Sequence, residues 1–463
     1  MALSKLFLVL FCITSNAIQP PRTLHVPVVH RDAVFPPTPG ATPSTLFRRR
    51  HATDAARYTA LNLTAHDRLH SPVLSGHPFD SGEYFALLGV GTPSTRALVV
   101  IDTGSDLVWL QCIPCRHCYG QLTPLYDPRS SRTYRQIPFS SPRCHELKYP
   151  GCDSRGGCTY TIVYGDGSSS RGEIATDRLV FSNDTHVHNV ALGCGHDNEG
   201  LFDSAAGLLG VGRGTLSFPT QLKAAYGHVF AYCLGDRTSR ARSSSSYLVF
   251  GRTPELPSTV FTPLLTNPRL PNLYYVDMVG FSVDGERVTR LSNANLALDA
   301  ATGRGGVVVD SGTAISQFAR DADAAVRDAF DARAAATGMR KLAKNLSVFD
   351  ACYDLRGSGI ATARVPTIAL HFAGGADMVL PMANSLVQVD GSRRRTYYCL
   401  GLKASDDELN VLGNVQQQGF RLVFDMEGKD HRVRAKRVLS LRNQVPVKLL
   451  ESNLKHVCVK LQL

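Results

Sequence analysis

Apolar residues fall along this chain in short runs, cut at frequent intervals by Gly, Pro, Asn and Asp. That rhythm predicts short strands joined by tight turns, a mainly β protein. The run Tyr84 to Val90 predicts the first strand of the folded body, and the Ala-rich stretch from about Arg320 to Thr337 is the one long helical candidate. Two runs, Val99-Val100-Ile101 and Val307-Val308-Val309, are wholly β-branched and predict buried strands. Each runs into a tight Gly turn, Asp102-Thr103-Gly104 and Asp310-Ser311-Gly312, which presents its Asp at the strand end. The two segments lie 208 positions apart. This predicts a duplicated architecture of two β lobes, each giving one carboxylate to a cleft between them.

One such triplet alone is as well explained by an Asx turn, in which Asp bonds its own backbone. A matched pair calls for chemistry. Two carboxylates within about 4 Å, at an effective dielectric near 20, repel by roughly 4 kcal/mol, or about three pK units. They would share one proton over a wide acidic range, so that one acts as base toward a bridging water while the other polarises a carbonyl. Neither metal nor cofactor is needed. A glycosidase pair would need a wider separation with acid and base on opposite faces, which twinned turns do not predict.

With these motifs the chain resembles the pepsin-like aspartic proteases, in particular their nepenthesin-like plant branch, from about Glu83 to Gly428. The family is the standard instance of the coupled carboxylate titration just described. The resemblance implies a bilobal fold and an acid-acting endopeptidase, monomeric and pepstatin-sensitive, with polypeptide substrates and Asp102 and Asp310 as catalytic residues. It makes Thr103 and Ser311 mutual braces of the two loops, with Gly104 and Gly312 completing the turns, and Ser105 and Thr313 partners of the outer carboxylate oxygens. Val163-Tyr164-Gly165-Asp166-Gly167-Ser168 is similar to the family's flap hairpin, with Tyr164 and Gly165 over the substrate and Trp109 supporting the tyrosine. Leu208-Leu209-Gly210 and Val411-Leu412-Gly413 are similar to the apolar-apolar-Gly elements beneath the site, one per half. An alternative is a catalytically silent, inhibitor-like binding protein of the same fold.

Residues 1–18 read as a signal peptide, with Lys5 ahead of an apolar run from Leu6 to Ile13 that is too short to span a bilayer. Residues 19–75, rich in Pro and Arg, read as a prosegment with little periodicity; 76–255 and 256–428 read as the two lobes, the first with a cysteine-rich insertion. The expected destination is secretion to the apoplast, or the vacuole. The formal charge of +11 would suggest a nucleic-acid or anionic-surface partner. It resides in the ends, because residues 81–428 carry 33 charges of each sign and no nucleic-acid motif. No later stretch is apolar enough for a membrane span.

Outside the signal segment there are eleven cysteines, which in a secreted chain predict a disulfide framework. Cys112, Cys115 and Cys118, completed by Cys144, Cys152 or Cys158, could also be read as a metal knuckle, which an oxidising compartment disfavours. The resemblance implies the pairs Cys112–Cys115, Cys118–Cys194, Cys144–Cys152 and Cys352–Cys399. Phe139 stands where the branch has a cysteine, which would leave Cys158 unpaired. His196 reads as a loop residue rather than a ligand. Asn183 and Asn345 begin glycosylation sequons and predict surface loops. Residues 429–463 form a basic tail in place of the family's closing strand and final cysteine, the mark expected of a frameshifted or read-through gene; Cys458 is a candidate partner for Cys233, in a context that does not match the family's.

Overall fold

The computed structural model describes residues 23–30 and 84–437, apart from 165–166, 182–184, 201, 203–204, 236–245, 253–259, 292–294, 356–362, 393–394, 407 and 428–430. The protein is mainly β and bilobal. In the first lobe the hairpin Tyr84–Val90 and Thr95–Asp102 pairs Phe85 with Val100 and buries Val99, Val100 and Ile101. Gly207–Gly210 lies parallel to the end of that strand, Gly210 opposite Asp102, and antiparallel to Trp109–Gln111. The second lobe repeats the arrangement: Val307–Val309 runs parallel to Asn410–Leu412. The helix Arg320–Ala336 packs Val326, Phe330 and Ala334 inward.

The lobes share one sheet beneath the site. Its centre is the antiparallel pair Val229–Cys233 and Phe420–Asp425, one strand from each half, with the Phe230 and Phe424 rings stacked at 4.7 Å. On the first-lobe side follow Ser246–Phe250 and then Leu24–His30, which also pairs with Tyr84–Val90. Leu24, Val26 and Val28 alternate inward and are buried, so part of the span read as an aperiodic prosegment is a strand of period two. On the other side lies Arg432–Arg437, paired from Phe420↔Arg437 to Asp425↔Arg432 and then to Thr262–Leu265. The expectation that the closing strand is gone is therefore corrected. Val433 is buried, and the Arg432 guanidinium lies 4.1 Å from the Phe261 ring centre and bonds Asp425.

The disulfides also depart from expectation. Cys112 pairs with Cys194 and Cys115 with Cys118. The reason is tertiary register: Trp109–Gln111 runs parallel to Gly193–Gly195, and the Cys112 N–H donates to the Gly195 carbonyl at 2.8 Å, which brings Cys112 beside Cys194. Cys144 pairs with Cys158 rather than Cys152, because the short helix Cys144–Glu146 buries Cys144 against the Cys158 strand, and Cys152 is the exposed free thiol among the described residues. Cys352–Cys399 bridges facing strand positions, as the resemblance implies. With Cys112, Cys115 and Cys118 all bonded, no thiolate knuckle forms there. Asn345 is exposed in a loop; Gly165, Asn183 and Cys458 lie outside the described residues.

Candidate active site

Each aspartate ends a buried strand and is itself buried. Around both, the same bonds recur. Asp102 Oδ1 accepts the Gly104 N–H at 2.9 Å and Oδ2 the Ser105 hydroxyl at 2.5 Å. Asp310 Oδ1 accepts the Gly312 N–H at 3.0 Å and Oδ2 the Thr313 hydroxyl at 2.6 Å. Four donors on two carboxylates fix the planes of both groups.

The loops are clasped to each other across the lobes. The Ser311 N–H donates to Thr103 Oγ1 at 2.9 Å, and the Thr103 N–H to Ser311 Oγ at 3.2 Å. Each hydroxyl then donates onward across the junction, Thr103 to the Val309 carbonyl at 3.1 Å and Ser311 to the Ile101 carbonyl at 3.0 Å. All four groups are buried, so a broken bond here would leave an unsatisfied polar atom.

Beneath each loop an apolar-apolar-Gly element supplies a floor. The Val211 N–H donates to the Asp102 carbonyl at 2.8 Å, and the Asp310 N–H to the Leu412 carbonyl at 3.1 Å. Gly is required at both floors: a Cβ on Gly210 would collide with the Asp106 backbone, and one on Gly413 would stand 2.8 Å from the Ala314 carbonyl oxygen.

The hairpin of Cys158–Val163 and Ser169–Val180, which the resemblance implies is the flap, carries Tyr164 at its end, whose N–H donates to the Ser168 carbonyl at 2.7 Å. Trp109, fully buried, donates its indole N–H to the Tyr164 hydroxyl at 2.6 Å. Phe202 packs edge-on against both rings, with centroids 4.9 Å from Trp109 and 5.6 Å from Tyr164. An open cavity of about 520 Å³ begins at Gly104 and Ser105 and runs under the flap, walled by Tyr164 and Leu216 of the first lobe and Leu273 of the second. Its size and largely apolar walls suit side chains of an extended peptide.

His196 ties the cysteine-rich insertion to the flap. Its Nδ1 bonds the Pro114 carbonyl at 2.8 Å and its Nε2 lies 3.3 Å from Glu173 on the flap strand. The Glu173 hydrogen bond raises the His196 pKa above its ordinary 6.5, and the same bond, with help from the Tyr134 hydroxyl, lowers that of Glu173 below 4.5.

Several residues of the site escaped the sequence reading. Gln417 donates to the Asp310 carbonyl at 3.2 Å and accepts the Tyr232 hydroxyl at 2.6 Å, and Asn414 donates to the Ser311 carbonyl at 3.0 Å. Asn414 follows the second apolar-apolar-Gly element directly and Gln417 ends the short helical turn that Asn414 begins, and that polar stretch was the available signal. Asp106 also lines the cavity, enclosed by the Gly210-Val211-Gly212-Arg213-Gly214 run whose alternating glycines are visible in the sequence.

Two family models match the chain, described as Xylanase inhibitor N-terminal over residues 84–252 and Xylanase inhibitor C-terminal over 273–431. Aspartyl protease family protein 2 of Arabidopsis thaliana is 46% identical over 379 residues, covering 81% of this chain and 76% of that protein. Aspartic proteinase nepenthesin-1 of Nepenthes gracilis is 35% identical over 350 residues, covering 74% of this chain and 75% of that one. Among solved structures, that of edgp superposes with a TM-score of 0.64 at 19% identity, over 89% of this chain and 94% of its own. Basic 7S globulin from soybean gives 0.62 at 16% identity, over 90% and 97%. At such identities these two structures speak for the fold alone.

Proposed function

The chain belongs to the pepsin-like aspartic protease family, in its nepenthesin-like plant branch, and on that footing we propose that it is an acid-acting endopeptidase. The observation that carries the reading is the twinned carboxylate environment, Asp102 with Gly104 and Ser105 matched by Asp310 with Gly312 and Thr313, on loops clasped by Thr103 and Ser311. A peptide lies across the two aspartates beneath Tyr164. One carboxylate takes a proton from a water held between the pair as that water attacks the scissile carbonyl; the protonated partner donates toward the carbonyl oxygen, and a proton then passes to the leaving nitrogen. Rigid loops hold both groups so that little reorganisation is needed. The flap hairpin closes over the peptide and excludes water.

Residues 1–18 direct secretion, to the apoplast or vacuole, and cleavage within 19–75 or the segment that follows releases the mature enzyme; Asn183 and Asn345 carry glycans. Among the described residues no helix is long and apolar enough to cross a membrane. Incubation of the purified chain with an unfolded protein at pH 2 to 7, with and without pepstatin, tests the reading. Pepstatin-sensitive cleavage confined to acid supports it. A folded protein that cleaves nothing across that range overturns it in favour of a silent binding protein of the same fold.

A further inference from the structure

Asp106 sits four residues after Asp102 in the same loop, half-buried at the junction of the lobes, and takes no part in the chemistry proposed above. Its surroundings are shaped to its carboxyl group. A Cβ on either Gly212 or Gly214 would collide with a carboxyl oxygen of Asp106, so the chain passes this close only because both are glycine. The Gly214 N–H donates to Asp106 Oδ1 at 2.8 Å. The second lobe closes the enclosure: the Asn272 side chain hydrogen-bonds the carboxyl group, and the Asn272 carbonyl accepts the Arg213 N–H at 2.9 Å. Beside it, the Tyr274 hydroxyl reaches the Val211 and Gly212 carbonyls at 2.9 and 2.8 Å.

We propose that Asp106 is a third acidic group of this site, a positioning residue that fastens the loop of Asp102 to the second lobe while it keeps its proton and loosens that junction when it ionises. The proposal rests on the protease reading for its effect on activity, though not for its effect on the fold. Two donors are too few to replace the water an anion loses here. Burial pushes the Asp106 pKa up to about 6, against the pull of Gly214 and Asn272, and Asp102 adds a smaller push the same way. The other charged and titratable groups nearby do not relieve it. Tyr274 is held neutral by burial, with Asp106 a further cause, and the Arg213 guanidinium is engaged with the Leu265 carbonyl and His431 Nδ1. At the acid pH of the proposed reaction Asp106 is therefore neutral and the junction closed. Near neutrality the group takes on a charge that its two donors answer poorly, which weakens the junction they hold.

The test compares the full chain with Asp106→Asn, which keeps the shape and hydrogen bonds without the ionisation, and with Asp106→Ser, short and uncharged, which keeps the comparison available should the amide not be accommodated. Thermal and urea unfolding between pH 4 and 7.5 need no catalytic activity, so they read the proposal even if the protease reading fails. The wild-type folding equilibrium is expected to lose about a hundredfold between pH 4 and 7 relative to either variant. In the active enzyme, the neutral-side limb of the kcat/KM profile is expected to move up by about half a pH unit or more in Asp106→Asn. Parallel stability curves for wild type and both variants, with the limb unmoved, would overturn the proposal, since a merely structural Asp106 would shift stability equally at every pH.

Discussion

Replacing Thr103 by Ala removes one hydroxyl and disturbs two bonds across the lobe junction. The Ser311 N–H loses its acceptor at 2.9 Å and the Val309 carbonyl loses a donor at 3.1 Å, both at buried residues. An orphaned buried polar group costs about 1–3 kcal/mol, so the change should destabilise by about 2–4 kcal/mol, a large share of the 5–15 kcal/mol typical of a domain. Activity should fall more steeply than stability, because a shift of about 1 Å between the two aspartates can cost about a hundredfold in rate. Thr103→Ser keeps the hydroxyl and should remain within about 1 kcal/mol of wild type. Ser311→Ala should mirror Thr103→Ala, and the double variant should cost less than the sum by at least about 0.5 kcal/mol, since the first change already loosens the approach of the loops. Urea unfolding at pH 5 with parallel kcat/KM measurement decides the matter. A Thr103→Ala protein within about 0.5 kcal/mol of wild type and near full activity would refute the claim that this clasp aligns the aspartates.

Tyr164→Phe should leave the Trp109 indole N–H unpaired and lower kcat/KM about tenfold with a smaller effect on the thermal midpoint; steady-state kinetics and calorimetry on the same samples check it. Glu173→Gln and His196→Ala should destabilise the protein most at about pH 5 to 6.5. The raised His196 pKa gives stability that is lost as pH rises through it, and the lowered Glu173 pKa gives stability that is lost as pH falls through it. The deficit in the unfolding midpoint should therefore shrink both in strong acid and above pH 8. A chain ended at Gly428 loses the strand Arg432–Arg437 and buried Val433, and should lose about 5 kcal/mol, read as a fall in soluble yield and midpoint.

Chemistry was more legible in this sequence than connectivity. The aspartate loops and the helix from Arg320 follow local rules, a β-branched run into a Gly turn and an Ala-rich helical period, whereas the flap role of Tyr164 comes only from the family resemblance. Disulfide pairing does not, because Cys112 meets Cys194 through the parallel register of strands 82 positions apart, which no local spacing encodes. Two strands were hidden by their polar residues. In Leu24–His30 the alternation of Leu24, Val26 and Val28 was outweighed by the Pro- and Arg-rich surroundings, and in Arg432–Arg437 the inward Val433 was masked by the basic residues around it. Asp106 was passed over for a different reason: its role is visible only once Gly212, Gly214 and Asn272, from distant parts of the chain, close around it.

The central claim, that Asp102 and Asp310 act as one catalytic pair, is tested most directly by measuring hydrolysis of an unfolded protein at pH 3 to 5 by the wild type, Asp102→Asn and Asp310→Asn, each shown to be folded by its unfolding midpoint. The account predicts clear acid cleavage by the wild type and at least a thousandfold loss in each single variant, with no further loss when both changes are combined. Cleavage that survives either substitution in a folded protein would contradict it.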